Sequence, residues 1–462
     1  MTAGRELLHR NLWRLRLKLG GSALENLAIM QKWATLDAQE SATLQHERLE
    51  FLLRHSYDHV PFYRNLLERH GVVTGSQVRL ERFFELPHLD KPTLRQNWAQ
   101  LQSDDLSRRR TRINQSGGST GEPVKLIQDA DYQDWNTSTK LFFESRAGHR
   151  LGARILQLWG SERDIMGIRR SWKSRLGQRV RNEELLNTFL MPVNTMRDYV
   201  QRINAFRPSL ILAYAESIFR LARFAEQEKL DVHAPNVIFT SATTLHAHMR
   251  ETIERVFRAP VLDRYGSREV GVVACEQPDS EGLIISAPTH FVEIVKQDGS
   301  PAAPGETGEL IVTPLNNLAM PLLRYRIGDM ACSPASPDTT GLQWPRLARV
   351  MGRITDTFYT SAGTQVFGEY FTHLFYERAW VEMFQVVQEE LDLIRISIKA
   401  GVNPPGGAQL AAEFGSLTDQ VRLVMGGDCR VEIDLVQEIE KTVSGKHRFT
   451  LSKMTPNEVV EH

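Results

Sequence analysis

Short apolar segments alternate with helix-periodic segments between about residues 150 and 275, and this alternation constrains the fold of the 462-residue chain more than any other feature. The runs that predict buried strands are Arg154 to Trp159, Leu210 to Tyr214, Val237 to Thr240 and Val261 to Tyr265. The residues that share a helical face between these runs are Ile218, Leu221, Ala222 and Ala225, then Met249, Ile253, Val256 and Phe257. The pattern predicts βαβ units around a largely parallel sheet.

The sequence changes character on both sides of this region. Residues 1 to about 100 are predicted to form a helical lead-in, in which Glu47 to Leu67 carries apolar residues at helical spacing. After about residue 280, the strand-like runs Phe291 to Lys296 and Glu309 to Thr313 flank turn residues. Such a pattern predicts antiparallel β structure.

A smaller α+β domain is predicted at the C-terminal end. The segments expected to form it are the strands Ile394 to Lys399 and Val431 to Val436 and a helix from Ser416 to Met425. The chain is too long for one hydrophobic core. We therefore predict an α/β fold in which residues 1–352 form a large N-terminal domain with mostly parallel sheets plus an antiparallel β region. Residues 353–462 form a small, mobile C-terminal domain, with the hinge close to Arg353.

The chain as a whole has no formal net charge, since 56 Lys and Arg residues match 56 Asp and Glu residues, but its basic charge is unevenly distributed. A chain without net charge has no global field to draw it to nucleic acid or anionic lipid, so we expect neither partner. Two arginine-rich stretches, Arg108 to Arg112 and Arg163 to Arg181, are either solvated faces or holders of an anionic cosubstrate.

Cysteine usage favours a reducing compartment. Cys275, Cys332 and Cys429 lie far apart and form no CxxC pair, which argues against a disulfide framework and a standard zinc site. A metal held by Cys275, Cys332 and His290 is a weaker reading than buried cysteines without a ligand role. Because no apolar stretch approaches the roughly 18 to 20 residues of a membrane helix, we expect a cytoplasmic protein without a membrane span.

The glycine-rich stretch from Gln115 to Pro123 is the first candidate functional motif. Its glycines let backbone N–H groups converge on an anion, and Ser116, Ser119 and Thr120 add hydroxyl donors. The stretch is either a phosphate cradle or an ordinary surface loop. It is not a Walker loop, because no Gly-Lys-Ser/Thr follows at the required spacing.

Four further motifs carry candidate chemistry. In Asp263 to Glu269, a predicted strand ends in a turn that delivers a carboxylate at the ligand-binding edge of the sheet. The alternative for Glu269 is a surface acid or a residue at the start of a helix. In Tyr325 to Asp329, the aspartate follows a strand and a glycine, where it accepts hydrogen bonds from ribose or belongs to a simple turn. The remaining motifs are Gly352 to Asp356 and Ser444 to Arg448.

The order and spacing of these motifs resemble the adenylate-forming superfamily of acyl-CoA synthetases, nonribosomal adenylation domains and luciferases. They are most similar to its phenylacetate-CoA ligase branch, with capsule-biosynthesis and coenzyme F390 synthetase relatives. The stretches that add to the resemblance are Val60 to Tyr63, Ala274 to Glu276, Gly305 to Leu310 and Met320 to Tyr325. The resemblance spans roughly residues 45 to 455.

This resemblance implies activation of a small-molecule carboxylic acid by ATP and Mg²⁺ to an acyl-adenylate, followed by transfer to CoA, an amine or a carrier protein. The residues implied to bind ATP are Ser116, Gly117, Gly118, Ser119, Thr120, Gly121, Ser241, Ala242, Thr243, Tyr265, Asp329 and Arg353. Glu269 is implied to bind Mg²⁺. Lys446, Arg353 and Thr120 are implied to be catalytic. A homodimer is expected by analogy only.

The implied roles agree with the chemistry of the reaction. A carboxylate that attacks the α-phosphorus builds negative charge on phosphate oxygens, so catalysis needs positioning and cations more than a proton-transfer residue. Lys446 suits this task because its ammonium is a compact charge on a flexible stem, and its competitors are Lys441 and Lys453.

The acyl pocket is expected around Trp159, Tyr214 and Gly266. Core packing is an equal alternative for the two aromatic residues, since both end predicted strands.

Three positions depart from the pattern of the superfamily. Glu122 stands where many relatives place a lysine or a neutral residue, and Thr355 stands where the hinge usually has an acid, with Asp356 directly after it. Gly118 replaces the usual hydroxyl residue, which leaves fewer side-chain donors. An acid beside a triphosphate is unfavourable unless it points away, although Lys125 offers compensation. The departures leave a second reading open: a catalytically degenerate nucleotide-binding protein of the same fold.

Overall fold

The computed structural model describes residues 2–115, 124–159, 172–188, 191, 193–336, 341–353, 357–361, 365–375, 378, 380–401, 404–440 and 448–454. The chain divides into two compact units, Met1–Ile327 with Ala331–Val350 and Gly328–Met330 with Met351–His462. The functional domain ranges 1–352 and 353–462 remain a prediction.

Helices dominate the first hundred residues. The elements are α1 (Thr2–Gly20), α2 (Ala23–Trp33), α3 (Ala38–His59), α4 (Pro61–Arg69) and α5 (Lys91–Gln96), with short strands β1 (Val73–Thr74) and β2 (Gln77–Val78) and 3₁₀ turns at Leu80–Glu85 and Leu106–Arg108. The predicted helical segment Glu47 to Leu67 is divided at Val60. Pro61 has no N–H to continue the ladder of α3, so it begins α4 at the helix position where that N–H is not needed.

A central sheet of eight strands forms the body of the first unit. Its strands in spatial order are β15 (Arg346–Leu347), β11 (Leu283–Ile285), β10 (Gly271–Glu276), β9 (Val261–Ser267), β8 (Val237–Ser241), β7 (Leu210–Tyr214), β5 (Ile155–Leu158) and β6 (Glu183–Leu186). In this order, neighbours among β9, β8, β7, β5 and β6 pair in parallel. Neighbours among β15, β11, β10 and β9 pair antiparallel. The predicted parallel sheet is confirmed. Strand β6 was missed because its first two residues, Glu183 and Glu184, interrupt the apolar signal.

Helices connect and cover these strands. They are α6 (Ala130–Arg146), α7 (Trp172–Arg181), α8 (Val193–Phe206), α9 (Ala215–Gln227) and α10 (Ala247–Phe257). The two predicted helical faces point into the core, with Ile218, Leu221 and Ile253 fully buried. On the other side of the sheet, the Phe142 ring of α6 stacks on Trp344, with centroids 4.9 Å apart. Each such aromatic burial stabilises the fold by about 2 kcal/mol.

Antiparallel β structure follows the central sheet, as predicted. Strands β12 (His290–Val295), β13 (Thr307–Pro314), β14 (Tyr325–Cys332) and β16 (Arg349–Arg353) form one sheet, and β3 (Thr111–Gln115) pairs with β4 (Lys125–Asp129) as a separate hairpin. One expectation was wrong: Asp329 neither follows a strand nor belongs to a turn, since it lies inside β14. Gly328 adopts φ +87°, a conformation open to glycine, so the strand passes through it without ending.

The second unit has a core of its own. Its elements are β17 (Thr357–Tyr359), β18 (Gln365–Phe367), α11 (Gly368–His373), β19 (Val381–Glu390), β20 (Leu393–Ala400), α12 (Gly407–Met425), β21 (Arg430–Leu435) and β22 (Thr450–Ser452). Four strands form a sheet in the order β21-β20-β19-β22. The Leu417, Val421 and Met425 side chains of α12 are buried in this core. The predicted helix is present, but it begins at Gly407 rather than Ser416.

The predicted α/β fold class is confirmed: a mostly parallel sheet, antiparallel sheets and a separate C-terminal α+β unit. Mobility of that unit remains a prediction. Among the described helices, none combines the length and apolar character that crossing a bilayer would require.

Gln388 is a buried polar centre of the second unit, and it leads to the first testable prediction. Its side chain accepts the Tyr359 N–H at 3.0 Å and the Ser452 hydroxyl at 2.9 Å, and it donates to the Tyr359 carbonyl at 2.6 Å. Gln388→Leu should destabilise this unit by about 3 kcal/mol, because several buried polar groups lose their partner. Hydrogen exchange followed by mass spectrometry should show faster exchange across β19 and β20.

The matched control is Gln409→Leu, since Gln409 is exposed on α12. Its exchange should match that of the wild type. Equal protection in wild type and Gln388→Leu would contradict the role given to Gln388.

Candidate functional site

The carboxyl ends of the parallel strands meet at one edge of the central sheet, and three predicted site residues lie there. Trp159 follows β5, Tyr214 ends β7 and Ser241 ends β8. The register pairs Leu158 with Ala213 and Tyr214 with Ser241, so the three residues are neighbours. The Trp159 and Tyr214 rings have centroids 4.2 Å apart. Both are half-buried, whereas Leu158 and Ala213 are fully buried. The aromatic pair therefore lines the edge rather than filling the core.

The segment Ser241 to Thr243 leaves β8 in an unusual conformation. Ala242 adopts φ +79°, which costs a residue with a side chain on the order of 1–3 kcal/mol. The Thr243 hydroxyl is buried and has no hydrogen-bond partner among the described residues. Such an unsatisfied buried donor fits a segment that contacts a ligand.

The turn between β9 and β10 presents Glu269. The Ser267 hydroxyl oxygen accepts the N–H groups of Glu269 at 3.1 Å and Val270 at 3.3 Å, which closes the turn. Glu269 is only 6% exposed. The structure thus holds this carboxylate at the predicted sheet edge, and the alternative of an exposed surface acid is wrong.

Tyr265 and Gly266 precede this turn within β9. Tyr265 is half-buried and lies opposite Ala274 of β10. A Cβ on Gly266 would lie 2.2 Å from the Gly271 carbonyl oxygen, so only glycine lets the two strands approach this closely. The close approach explains Gly266 on structural grounds alone, and its place in an acyl pocket remains a prediction.

The β3–β4 hairpin is tied to the Glu269 turn. The Asn114 and Gln128 side-chain amides both donate to the Arg268 carbonyl oxygen, each at 3.0 Å. Asn114 also donates to the Gln128 side-chain oxygen at 3.1 Å. The predicted phosphate residues 116–121 connect the two strands of this hairpin and lie outside the described residues. The hairpin that carries them is therefore anchored one residue before the candidate magnesium ligand.

His290 supports the other end of the same turn. Its Nε2 atom lies 2.7 Å from the Val270 carbonyl oxygen, and its Nδ1 atom lies 2.9 Å from the Thr289 hydroxyl. Burial lowers the pKa of His290 to about 4. The imidazole is therefore neutral near pH 7 and donates its Nε2–H to the carbonyl.

Helix α6 brings polar side chains against β9 and β10. The Asn136 side-chain oxygen accepts the Val272 N–H at 3.1 Å. Further along the helix, burial lowers the pKa of Lys140 to about 8 and raises the pKa of Glu144 to about 7, with Arg264 close enough to influence both. A half-buried polar face therefore extends away from the Glu269 turn.

Three predicted residues belong to the second unit or lie outside the described residues. Asp329 is 8% exposed within β14. Arg353 ends β16, and its side chain lies outside the described part of the structure. Lys446 also lies outside the described residues. Their roles toward ATP remain predictions.

The described residues do not support the alternative of a metal site formed by Cys275, Cys332 and His290. Cys275 is buried in the apolar core, where burial raises the pKa of its thiol, and His290 is engaged by Val270. Across the described ranges, no group of three or more His, Cys, Asp or Glu residues is placed to hold a metal ion. A groove of about 350 Å³ lies elsewhere, against Phe291 and Arg324, and includes no predicted site residue.

Comparison with known proteins places the chain among ligase relatives. Residues 358–453 match the family model of the CapK C-terminal domain. The chain is 23% identical to Protein CapK of Staphylococcus aureus, over 89% of each protein. It is 28% identical to phenylacetate-coenzyme A ligase of Pseudomonas putida, over 72% of this chain and 76% of the ligase.

A solved structure shares the fold. 2-Hydroxyisobutyryl-CoA ligase, in the postadenylation state in complex with R3-HIB-AMP, superposes with a TM-score of 0.72 at 19% identity, over 91% of both chains. The predicted resemblance is confirmed: the homologues are Protein CapK and phenylacetate-CoA ligases, and the fold is that of the adenylate-forming CoA ligases.

The sequence did not reveal the residues that support the site. Asn114, Gln128 and His290 support the site through hydrogen bonds to backbone carbonyls. No motif marks such contacts. The clearest available signal was the amide side chain of Asn114 directly before the glycine-rich stretch.

A second prediction concerns His290 and pH. An unfolded histidine titrates near pH 6.5, whereas the pKa of His290 is about 4 in the folded chain. The unfolded state therefore binds more protons between these values, and stability falls as the pH drops from 6.5 toward 4. His290→Gln keeps an N–H donor but cannot titrate. Between pH 7 and pH 5, the wild type should lose about 2 kcal/mol more unfolding free energy than this variant.

Chemical denaturation followed by tryptophan fluorescence measures the difference. His46→Gln is the control, since His46 is exposed, and it should keep the wild-type pH dependence. The account of His290 fails if His290→Gln loses as much stability between the two pH values as the wild type.

Proposed function

We propose that this chain, a homologue of CapK and the phenylacetate-CoA ligases, activates a carboxylic acid with ATP and Mg²⁺ and passes the acyl group to the thiol of CoA. The observation that carries the proposal is the anchored hairpin. Asn114 and Gln128 fix the strands flanking the glycine-rich stretch to the turn that presents Glu269. A phosphate-binding stretch and a metal-binding carboxylate are the two elements that nucleotide activation requires together.

The proposed reaction has two steps. A carboxylate oxygen of the acid attacks the α-phosphorus of ATP, the bond between the α-phosphorus and the bridging oxygen breaks, and pyrophosphate leaves. The thiol sulfur then attacks the acyl carbon, and AMP leaves as the thiol proton is lost. The chain contributes positioning and charge rather than a proton relay.

The residues suit Mg²⁺ as the metal. Glu269 is one buried carboxylate beside a proposed phosphate site, and Mg²⁺ in such sites takes one or two carboxylates with substrate phosphates. The ion, when bound, would offset the negative charge of the phosphate oxygens. In this proposal, Ser241, Ala242, Thr243 and Tyr265 line the nucleotide side, Asp329 and Arg353 bind ribose and phosphate, and Thr120 contacts the phosphates.

Lys446 remains the proposed catalytic cation, bridging the acyl carboxylate and the α-phosphate. Its competitor Lys453 forms an ion pair with Glu389 in the structure, which gives that lysine a structural role. The assignment of Lys446 therefore rests on its place in the C-terminal motif.

The acyl pocket is proposed at the Trp159–Tyr214 pair, which faces the sheet edge. CoA is proposed as the acceptor because the named relatives include CoA ligases. The alternative acceptors, which the experiment must distinguish from CoA, are an amine and a carrier protein.

Pyrophosphate release tests the activation step. Purified protein with ATP, Mg²⁺ and a panel of carboxylic acids should release pyrophosphate only when a suitable acid is present, and hydroxylamine should trap the acyl group as a hydroxamate. Chelating the metal should stop both signals. Adding CoA should then yield a thioester, whereas an amine acceptor would yield an amide. ATP binding without pyrophosphate from any acid would instead favour the catalytically degenerate nucleotide-binding protein.

Lys446→Ala should lower acid-dependent pyrophosphate release by at least about 100-fold, because the charge that stabilises the transition state is lost. Titration with a fluorescent ATP analogue should show nearly unchanged nucleotide binding. Lys441→Ala and Lys453→Ala serve as matched controls and should retain most of the activity. The role of Lys446 is overturned if its variant keeps activity while one of the controls loses it.

A further inference from the structure

Helix α6 carries a polar face that points into the protein. Tyr132, Asn136, Lys140 and Glu144 follow each other at intervals of four, so they share one side of the helix. At one end of this face, the Tyr132 hydroxyl is buried without a hydrogen-bond partner among the described residues. A Cβ on Gly271 would lie 2.9 Å from that hydroxyl, which places Tyr132 beside the Glu269 turn.

The other end of the face carries charge. Lys140 and Glu144 are half-buried, so each side chain keeps some solvent-accessible surface. Arg264 of β9 lies close to both and is only 9% exposed.

This cluster is not neutralised within the described part of the chain. The ion pairs of the described residues, counted to 4.0 Å, include none for Lys140, Glu144 or Arg264. A nearby acid, Glu183, is already paired with Arg181 at 2.7 Å. Of the two carboxylates that act on Lys140, Glu144 alone lacks an ion pair among the described residues, whereas both Arg264 and Arg112 add positive charge near this lysine. Burying charge without partners is costly, so such an arrangement points to a missing anion.

The electrostatic responses of the side chains agree with this reading. Burial, and then Arg264, lowers the pKa of Lys140 to about 8. Burial raises the pKa of Glu144 to about 7 even though Arg264 and Lys140 oppose the rise. A bound anion would hold Lys140 charged, and a protonated Glu144 could donate a hydrogen bond to it.

The position of the cluster suits the far end of a substrate. Tyr132 lies beside the turn that presents Glu269. Eight residues of helix separate Tyr132 from Lys140, which is about 12 Å along the axis. An acid whose reacting carboxylate lies near the Glu269 turn could therefore place a second group against Lys140.

We propose that Lys140 and Arg264 bind a second carboxylate at the far end of the substrate, so that the enzyme activates dicarboxylic acids. This inference rests on the proposed acid activation and names its substrate class. A substrate with an apolar end would leave the Lys140 and Arg264 cations without an anionic partner, which selects against monocarboxylic acids.

Matched pairs of acids test the inference. Adipate is compared with hexanoate and 6-aminohexanoate, and 4-carboxyphenylacetate with 4-methylphenylacetate, by the kcat/KM of pyrophosphate release. The dicarboxylic member of at least one set should be preferred by on the order of 100-fold. Lys140→Met should remove most of this preference. Lys32→Met, at an exposed position of α2, should retain it.

Direct binding separates this inference from the proposed function. Without ATP, calorimetry should show that the preferred dicarboxylate binds the wild type at least about tenfold more tightly than Lys140→Met. Preference for monocarboxylates, or an unchanged preference in Lys140→Met, overturns the inference while acid activation stands. If no acid of any class produces pyrophosphate release, the proposed function itself is overturned.

Glu144→Gln decides the question if Lys140→Met fails to fold, as judged by thermal unfolding. Removing a carboxylate from the cluster should keep or tighten dicarboxylate binding. Loss of that binding would show that Lys140 and Arg264 do not form an anion site.

Discussion

The Arg268 carbonyl oxygen is the contact on which the arrangement of the site depends. Two side-chain amides, from Asn114 and Gln128, share this single acceptor. Each neutral hydrogen bond contributes only about 1 kcal/mol to stability, but losing one leaves a polar group without a hydrogen-bond partner. Because the two amides come from opposite strands of the hairpin, they fix both its position and its orientation. The placement of strands β3 and β4 against the Glu269 turn thus follows from uncharged groups that need no metal or nucleotide to form.

Helix α6 joins two different electrostatic environments. At one end, Tyr132 and Asn136 meet the strand–turn–strand unit through neutral contacts. At the other end, the half-buried Lys140 and Glu144 bring ionisable groups near Arg264, and burial lowers the pKa of Lys140 and raises that of Glu144. A rigid helix keeps the spacing between these ends constant. In the proposed function, the activation step at the sheet edge and the choice of substrate therefore depend on the same element.

The sequence was sufficient to predict the helices and strands that have a clear hydrophobic pattern. It was insufficient where a single residue decides whether a strand continues or ends. Apolar runs identified β5, β7, β8 and β9 because buried parallel strands are continuously hydrophobic. The same rule missed β6, which begins with two glutamates. Asp329 was misplaced because Gly328 suggested a turn, whereas positive φ lets glycine continue the strand. The motif order identified Glu269, but a buried lysine on a helix looks like a solvent-facing residue until its neighbours are known.

Ala242 shows how this site is prepared before any ligand arrives. Its left-handed backbone is a conformation that an unfolded or loosely held segment would rarely visit. The surrounding fold imposes this geometry on the segment that ends β8, so its groups do not have to be ordered during binding. In thermodynamic terms the segment is preorganised: for a ligand that contacts it, as in the proposed nucleotide site, part of the ordering entropy is already lost in folding, which favours a higher affinity.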